Sequence, residues 1–356
     1  MFKPFSNLKV IELSSVLAGP SVGLFFAELG ATVIKIENSK TNGDVTRSWK
    51  AASEKKEDST SAYYWSVNTG KEVLFLDLTS AKDLDTVCVL IKTADIVITN
   101  FKQGDDVKLK VDYKTLSQIN TTLIYANING FGHNSPRTAY DLILQAESGF
   151  MFMNGEKNTE PLKMPVALID LLAGHQLKEA ILIALLKKHQ TKQGSHISVS
   201  LFDSAIASLA NQATNWLIAN HLPVAQGSLH PNIAPYGELF LTQDNHNITF
   251  AIGSNVQFKK LCDILNLDLY NNELYKTNQQ RVTNRGILFE LLKEKITQLP
   301  FEIIFNQCLQ HEVPIGKIRN LKEVFELPEA QAMLNRFSYQ QQPFSSVKSI
   351  AFKFLA

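Results

Sequence analysis

Asp170 is the residue whose surroundings most invite chemistry. It lies in Met164-Pro165-Val166-Ala167-Leu168-Ile169-Asp170-Leu171-Leu172-Ala173-Gly174, an apolar run with no Lys or Arg within five positions on either side. Two readings stay open. An aspartate at the N-cap of the following helix accepts a first-turn N–H and contributes about 1 kcal/mol. A carboxylate at a helix start that faces a cleft can instead act as nucleophile or base. Lys102 and Lys108 follow an apolar strand and are placed either to meet a phosphate or to stay in solvent. His133, His175 and His196 show no HExxH or H-x-H spacing, so no metal site is expected. Ile252-Gly253-Ser254-Asn255-Val256 lacks the second glycine of a nucleophile elbow, which disfavours a Ser-His-Asp hydrolase.

The elements that must position these groups begin at Leu8. Leu8 to Leu13 reads as a strand, Ser21 to Leu29 as a helix and Ala31 to Glu37 as a second strand, with Pro20 in the first helical turn and Gly30 just past the helix end. Such a βαβ unit invites a dinucleotide site with Glu37 as ribose acceptor, but Ala18-Gly19-Pro20-Ser21-Val22-Gly23 is not G-x-G-x-x-G. This loop is either structural or an anion-binding helix start. Strands are also read at Val73–Leu76, Asp95–Thr99 and Thr122–Ala126, with a helix over Ser80–Thr93, so the fold is expected to be α/β with a parallel sheet. A long helix spans Leu168 to Gln190, a strand His196 to Ser200, and another helix starts near Leu201. From Ile248 to Val324 one strand followed by several amphipathic helices is expected, and Ser39 to Asp58 reads as a mobile loop.

The length, 356 residues, suits about two domains. A formal net charge of +1 argues against a dedicated nucleic-acid or membrane-surface binder. Cys88, Cys262 and Cys308 are too far apart in sequence for a CxxC site or a disulfide framework, which points to a reducing, cytoplasmic setting. The N-terminal apolar run is broken by Glu12 and reads as mature protein rather than a signal peptide. The longest stretch without Asp, Glu, Lys or Arg, Ser204 to Gly237, is studded with Asn, Gln, His and Pro and is not expected to cross a membrane.

Taken in order, several strings resemble the family III CoA-transferases, which include formyl-CoA and carnitine CoA-transferases and the related 2-methylacyl-CoA racemases. They are Leu8 to Leu13 with Ala18-Gly19-Pro20, Glu28-Leu29-Gly30-Ala31 with Val33 to Glu37, Gly43-Asp44 with Arg47, and Asn68 with Gly70-Lys71 and Leu76-Asp77-Leu78. Ala94-Asp95, Asn100-Phe101 with Gly104, Gly130-Phe131-Gly132 with Ser135-Pro136, Tyr140-Asp141, the Asp170 segment, Ala234-Pro235-Tyr236 and Val313-Pro314-Ile315-Gly316 follow.

The resemblance implies a Rossmann-like large domain from 1–225 with 325–356, a smaller α+β domain over 226–324, and a homodimer of interlocked rings. It makes Asp170 the catalytic nucleophile, which attacks an acyl-CoA and passes through anhydride and aspartyl-CoA thioester intermediates to a carboxylic acid acceptor. Coenzyme A is then substrate and product, with no tightly bound cofactor. By the same resemblance Val16, Ala18, Leu76, Asn100 and Phe101 line the CoA site, Lys108 and Arg137 meet its phosphates, and Tyr140 belongs to the substrate pocket. Racemases pair the aspartate with a His at the Tyr140 position, and a phenol with an ordinary pKa near 10 is a poor base at neutral pH. His133 lies seven residues earlier and is not taken to replace it. The transferase reading is therefore preferred to a 2-methylacyl-CoA racemase or epimerase and to a catalytically weak CoA-binding protein.

Four departures accompany it. Leu17 stands where formyl-CoA transferase has a polar residue, Asn38 where an Arg often meets the nucleotide, and no glycine run exists for that enzyme's lid. Oxalate and formyl-CoA are accordingly not expected as substrates. The sequence also lacks the family's usual terminal segment beyond Ala356, which is expected either to loosen the return of the C-terminus to the large domain or to alter the threading of the dimer.

Overall fold

The computed structural model describes residues 3–132, 135–339 and 341–355. Its central sheet has strands β1 Lys9–Leu13, β2 Thr32–Asn38, β3 Glu72–Leu76, β4 Ile96–Thr99, β5 Ile124–Asn129 and β6 Ser195–Ser200, all paired in parallel. Their order is β3-β2-β1-β4-β5-β6, the doubly wound arrangement in which the winding reverses between β1 and β4. Alternation along the strands fills both faces. Val10, Val33, Ile96 and Ala126 point into one core, and Ile11, Ile34, Val97 and Tyr125 into the other.

The helices of this unit are α1 Ala18–Glu28, α2 Ala62–Asn68, α3 Ala81–Ile91, α4 Asp105–Lys108, α5 Tyr113–Ile119, α6 Asp141–Glu147, α7 Phe150–Met153, α8 Leu168–Thr191, α9 Leu201–Ala207 and α10 Ala210–Ala219. α1 and α8 cover the first face, where Val22, Phe26, Ala173 and Leu177 are buried, and α3 and α5 cover the second through Val87, Ile91 and Leu116. Gly30 ends α1 with φ +100° and its N–H on Ala27 O, as its position past the helix predicts.

Charged residues also occupy this interior. Glu12 and Lys35 are register partners on β1 and β2, and both are fully buried. The Glu12 carboxylate meets Lys35 Nζ at 2.9 Å and Lys71 Nζ at 2.8 Å, and Lys35 reaches Asp44 at 3.1 Å. Beside them Arg47 forms a two-pronged pair with Glu37 at 2.6 and 2.9 Å, and Tyr64 donates its hydroxyl to the same carboxylate. Burial alone would raise Glu12, but Lys35 and Lys71 hold its carboxyl below the ordinary range. Burial pulls Lys71 down, and Glu12 restores it only to about 8. Gly23 belongs to this arrangement, since a Cβ there would lie 1.8 Å from Glu12 Oε2. Gly23 of α1 thus admits a buried carboxylate.

The segment Ser39 to Asp58, expected to be mobile, is held. Asp44 N–H donates to Glu37, Thr46 N–H and Oγ1 donate to Asp44, and Lys50 Nζ gathers the carbonyls of Lys55, Lys56 and Asp58. Polar composition suggests a loose loop only when the hydrogen-bond partners of those side chains are not foreseen.

Two compact units emerge. The first is Met1–Met151, Lys163–Ala219 and Ala332–Ala356, and the second is Phe152–Leu162 with Asn220–Gln331. The expected small-domain span, 226–324, falls within the second, which starts six residues earlier, runs to Gln331 and takes in Phe152–Leu162 as well. This second unit has a three-stranded antiparallel sheet, β7 Tyr236–Leu241, β8 Asn247–Ala251 and β9 Ile315–Lys317, with α11 Asn255–Ile264, α12 Asn278–Thr283, α13 Arg285–Ile296 and α14 Phe301–Gln310. The single strand expected over Ile248–Val324 is therefore corrected. β9 is only three residues long, and just before that span β7 hides its alternation behind Gly237 at φ +93° and a bulge. In the first unit β10 Leu334–Tyr339 and β11 Gln342–Val347 pair antiparallel, a hairpin not anticipated.

The C-terminal return is held rather than loosened. Glu28 accepts from Asn335 Nδ2 at 2.6 Å, from Ser349 Oγ at 2.7 Å and from the Ser349 and Ile350 N–H groups, and Ile350 enters the core beside α1.

Removing one member of the buried charge cluster leaves its partners uncompensated, which costs about 3–5 kcal/mol. Glu12→Gln should lower the denaturation midpoint accordingly, and an unchanged midpoint in a urea titration would contradict this account.

Candidate active site

The carboxyl ends of β1 to β5 open onto one cavity of about 840 Å³, a size within the range of small-molecule and cofactor sites. Leu13, Asn38, Leu76, Asn100 and Asn129, the last residues of those strands or the next one, all line it, and so does Asp170. This is the place where open α/β sheets bind ligands.

Asp170 is the third residue of α8 and is 8% exposed. The helix starts from Ala167, which offers no side-chain cap. Its first-turn N–H groups are met from α6, because Asp141 Oδ1 accepts from Ile169 at 2.7 Å and from Asp170 at 3.4 Å. The N-cap reading of Asp170 is therefore ruled out. Burial first, and then the neighbouring Asp141 charge, push its carboxyl up to about 7. Tyr63 faces the same region, and burial followed by the charges of Asp170, Asp141 and Asp44 raises its phenol. One turn beyond Asp170, Gly174 lets α8 lie against α1, for a Cβ there would be 2.5 Å from Ser21 Oγ and 3.3 Å from Ala18 O.

The loop between β1 and α1 is held from two sides. Asn100 Oδ1 accepts from Ser15 N–H at 3.0 Å and its Nδ2 donates to Ser15 O at 2.8 Å. Val16, a β-branched residue at φ 71°, donates its N–H to Asp44 Oδ2 at 3.2 Å. The anion at this loop is thus the protein's own Asp44, which also meets Lys35. Glu37 is equally occupied, by Arg47, Tyr64 and the Asp44 N–H, so the dinucleotide reading fails at both of its acidic and glycine-rich landmarks.

The structure brings most of the expected site residues together. Val16, Ala18, Leu76, Asn100, Phe101, Arg137, Tyr140 and Asp170 line the cavity, as do Leu17 and Asn38. Lys108 does not line it. Its exposed ammonium turns to Asp105 at 3.0 Å, whereas Lys102, also considered in the sequence, does face the cavity. Arg137 lies 3.7 Å over the Phe131 ring and pairs with Glu147. Asn38 caps a short turn by accepting from Lys40 N–H. His133 lies outside the described residues. Sequence reasoning missed the uses of Asp44 and Asp141, although Gly43-Asp44 and Tyr140-Asp141 had been noted as strings. Among the described residues no cluster of His, Cys, Asp or Glu could hold a metal ion, and no helix is long and apolar enough to cross a membrane.

In an unfolded chain Asp170 would ionise in the ordinary carboxylate range near 3.9. The folded protein retains this proton to about pH 7, so its stability falls between about pH 4 and 7 and no further above that. Asp170→Asn should match the wild type in stability near pH 4 and exceed it by up to about 4 kcal/mol above pH 7. Denaturation midpoints across this range measure the difference, and one that did not grow with pH would contradict the raised carboxyl.

Comparison with known proteins agrees with this geometry. A family model described as CoA-transferase family III matches residues 5–354. A succinate–glutarate CoA-transferase of Agrobacterium fabrum is 38% identical over 336 residues, covering 92% of this chain and 83% of the relative. An acetyl-CoA:oxalate CoA-transferase of Acetobacter aceti is 32% identical over 352 residues, covering 97% and 89%. The crystal structure of a CAIB/BAIF family protein from Brucella suis superposes with a TM-score of 0.84 at 36% identity, covering 99% of this chain and 93% of that one. With a doubly wound sheet, a cavity at its carboxyl edge and matches over nearly its whole length, the chain belongs to the family III CoA-transferases.

Proposed function

We propose that Asp170 carries the transfer of CoA between an acyl-CoA and a carboxylic acid. One observation carries this reading: a carboxylate buried at the carboxyl edge of the sheet, relieved of helix capping by Asp141 and facing the cavity. An Asp170 oxygen attacks the thioester carbon, the C–S bond breaks and CoA leaves as thiolate. The thiolate then attacks Asp170 Cγ in the mixed anhydride, displacing the donor acid as its carboxylate and leaving an aspartyl-CoA thioester. The acceptor carboxylate attacks that thioester and expels the thiolate, which adds to the acceptor carbonyl of the new anhydride. Acyl-CoA departs and the Asp170 carboxylate is regenerated. Each step exchanges one activated acyl bond for another, so no single step is strongly uphill.

In this reading Val16, Ala18, Leu76, Asn100 and Phe101 form the walls for CoA in the first unit, and Tyr140 borders the reacting acyl group. Lys102 and Arg137 supply positive charge to phosphates or carboxylates. Lys108 acts only if it leaves Asp105. CoA is a substrate rather than a resident cofactor. The acids named for the relatives, succinate, glutarate and oxalate, are dicarboxylic, which favours a dicarboxylic acid here. A cytoplasmic setting suits three cysteines that are all free thiols. Exposed apolar side chains on α8 and α10, among them Ile183, Leu217 and Ile218, favour a homodimer.

Two measurements test these points. Intact-protein mass spectrometry after mixing with succinyl-CoA should show a CoA-sized adduct, labile to hydroxylamine and absent from Asp170→Ala. Binding without an adduct in the wild type would reject Asp170 as nucleophile. Sedimentation equilibrium should give twice the chain mass of 39.8 kDa, and Leu217→Glu with Ile218→Glu should shift the mass toward one chain. A wild-type monomer at micromolar concentration would reject the dimer.

A further inference from the structure

We propose that Asp141 is the positioning residue of the exchange: it closes the first turn of α8 in place of Asp170 and holds a second negative charge against the nucleophile. This rests on Asp170 acting as nucleophile. Asp141 is itself fixed. Its Oδ2 accepts from Gln145 Nε2 at 2.5 Å, and Gln145 Oε1 accepts from Met164 N–H at 2.8 Å, so α6 and the strand of chain leading into α8 are tied through one side-chain pair. Gln145 is completely buried, which leaves that pair no alternative partner in water.

The chemistry gives the arrangement a purpose. Asp170 is anionic only at the start and end of the cycle, whereas it is an uncharged anhydride or thioester in between. Repulsion from Asp141 therefore acts on the resting carboxylate and vanishes on acylation. The same repulsion makes Asp170 a stronger base and hence a better nucleophile. Other ionisable groups on the surrounding elements are Tyr63 on α2, Asp44 after β2, Glu28 on α1, Glu147 on α6 and Asp203 on α9, with His175 and Lys178 further along α8. Of the charged groups, Asp141 is the one that acts on the Asp170 carboxyl.

The test is single-turnover acylation by succinyl-CoA from pH 5.5 to 9, quenched and read by intact mass. Asp141→Asn keeps the Oδ1 acceptor for both N–H groups and removes the charge. Its rate should inflect at a lower pH than the wild type and fall about threefold at pH 8.5, with the gap closing toward pH 5.5. A rate lowered equally at every pH, with the inflection unmoved, would reduce Asp141 to a structural cap and overturn the proposal. If Asp141→Asn does not fold, Asp141→Ser, which keeps a short oxygen acceptor and removes the charge, decides by the same readout: a lowered inflection is expected, and an unmoved one overturns the proposal. A wild type that binds succinyl-CoA without acylating rejects the nucleophile itself, an outcome distinct from both.

Discussion

Lys35 stands between two carboxylates, and the site depends on that bridge. Through Glu12 it belongs to the interior of the sheet, and through Asp44 it holds the turn that leaves β2. Asp44 in turn fixes the Val16 amide, so the loop above α1 takes its shape from a charge buried beneath it. Buried ion pairs are weak sources of stability, because desolvation cancels most of their attraction. Their geometry is nonetheless demanding, since a displaced partner leaves a bare charge. Such a cluster specifies where the loop sits more than it strengthens the fold.

That constraint explains which parts of the molecule were legible in the sequence. Leu8 to Glu37 announced a βαβ unit because β1 and β2 carry apolar residues toward both faces and Gly30 ends the helix between them. The long helix from Leu168 was equally plain. Polar segments were not, because Asp44 and Lys50 look like solvent-facing residues until their partners are known. Short or bulged strands such as Ile315–Lys317 and Tyr236–Leu241 carry too little alternation to be read.

The site divides in the same way. Asp170 stood out by composition, as an acid in an apolar run, and its family role came from ordered strings rather than from spacing. Whether it was a cap or a free carboxylate turned on Asp141, twenty-nine residues away in sequence, and no local pattern encodes that contact. The position of Lys108 was hidden for a related reason: α4 turns its ammonium to Asp105 within the same short helix, and Lys102, just before the turn, lines the cavity.

The contacts of Glu28 with Asn335, Ser349 and Ile350 close the chain into a noncovalent ring of more than three hundred residues. One carboxylate on α1 therefore gathers the returning segment at three residues, and the position of that segment in the first unit is set by the helix it returns to. Loss of that single side chain would release the segment at all three points together, leaving Ile350 to hold it by apolar contact alone.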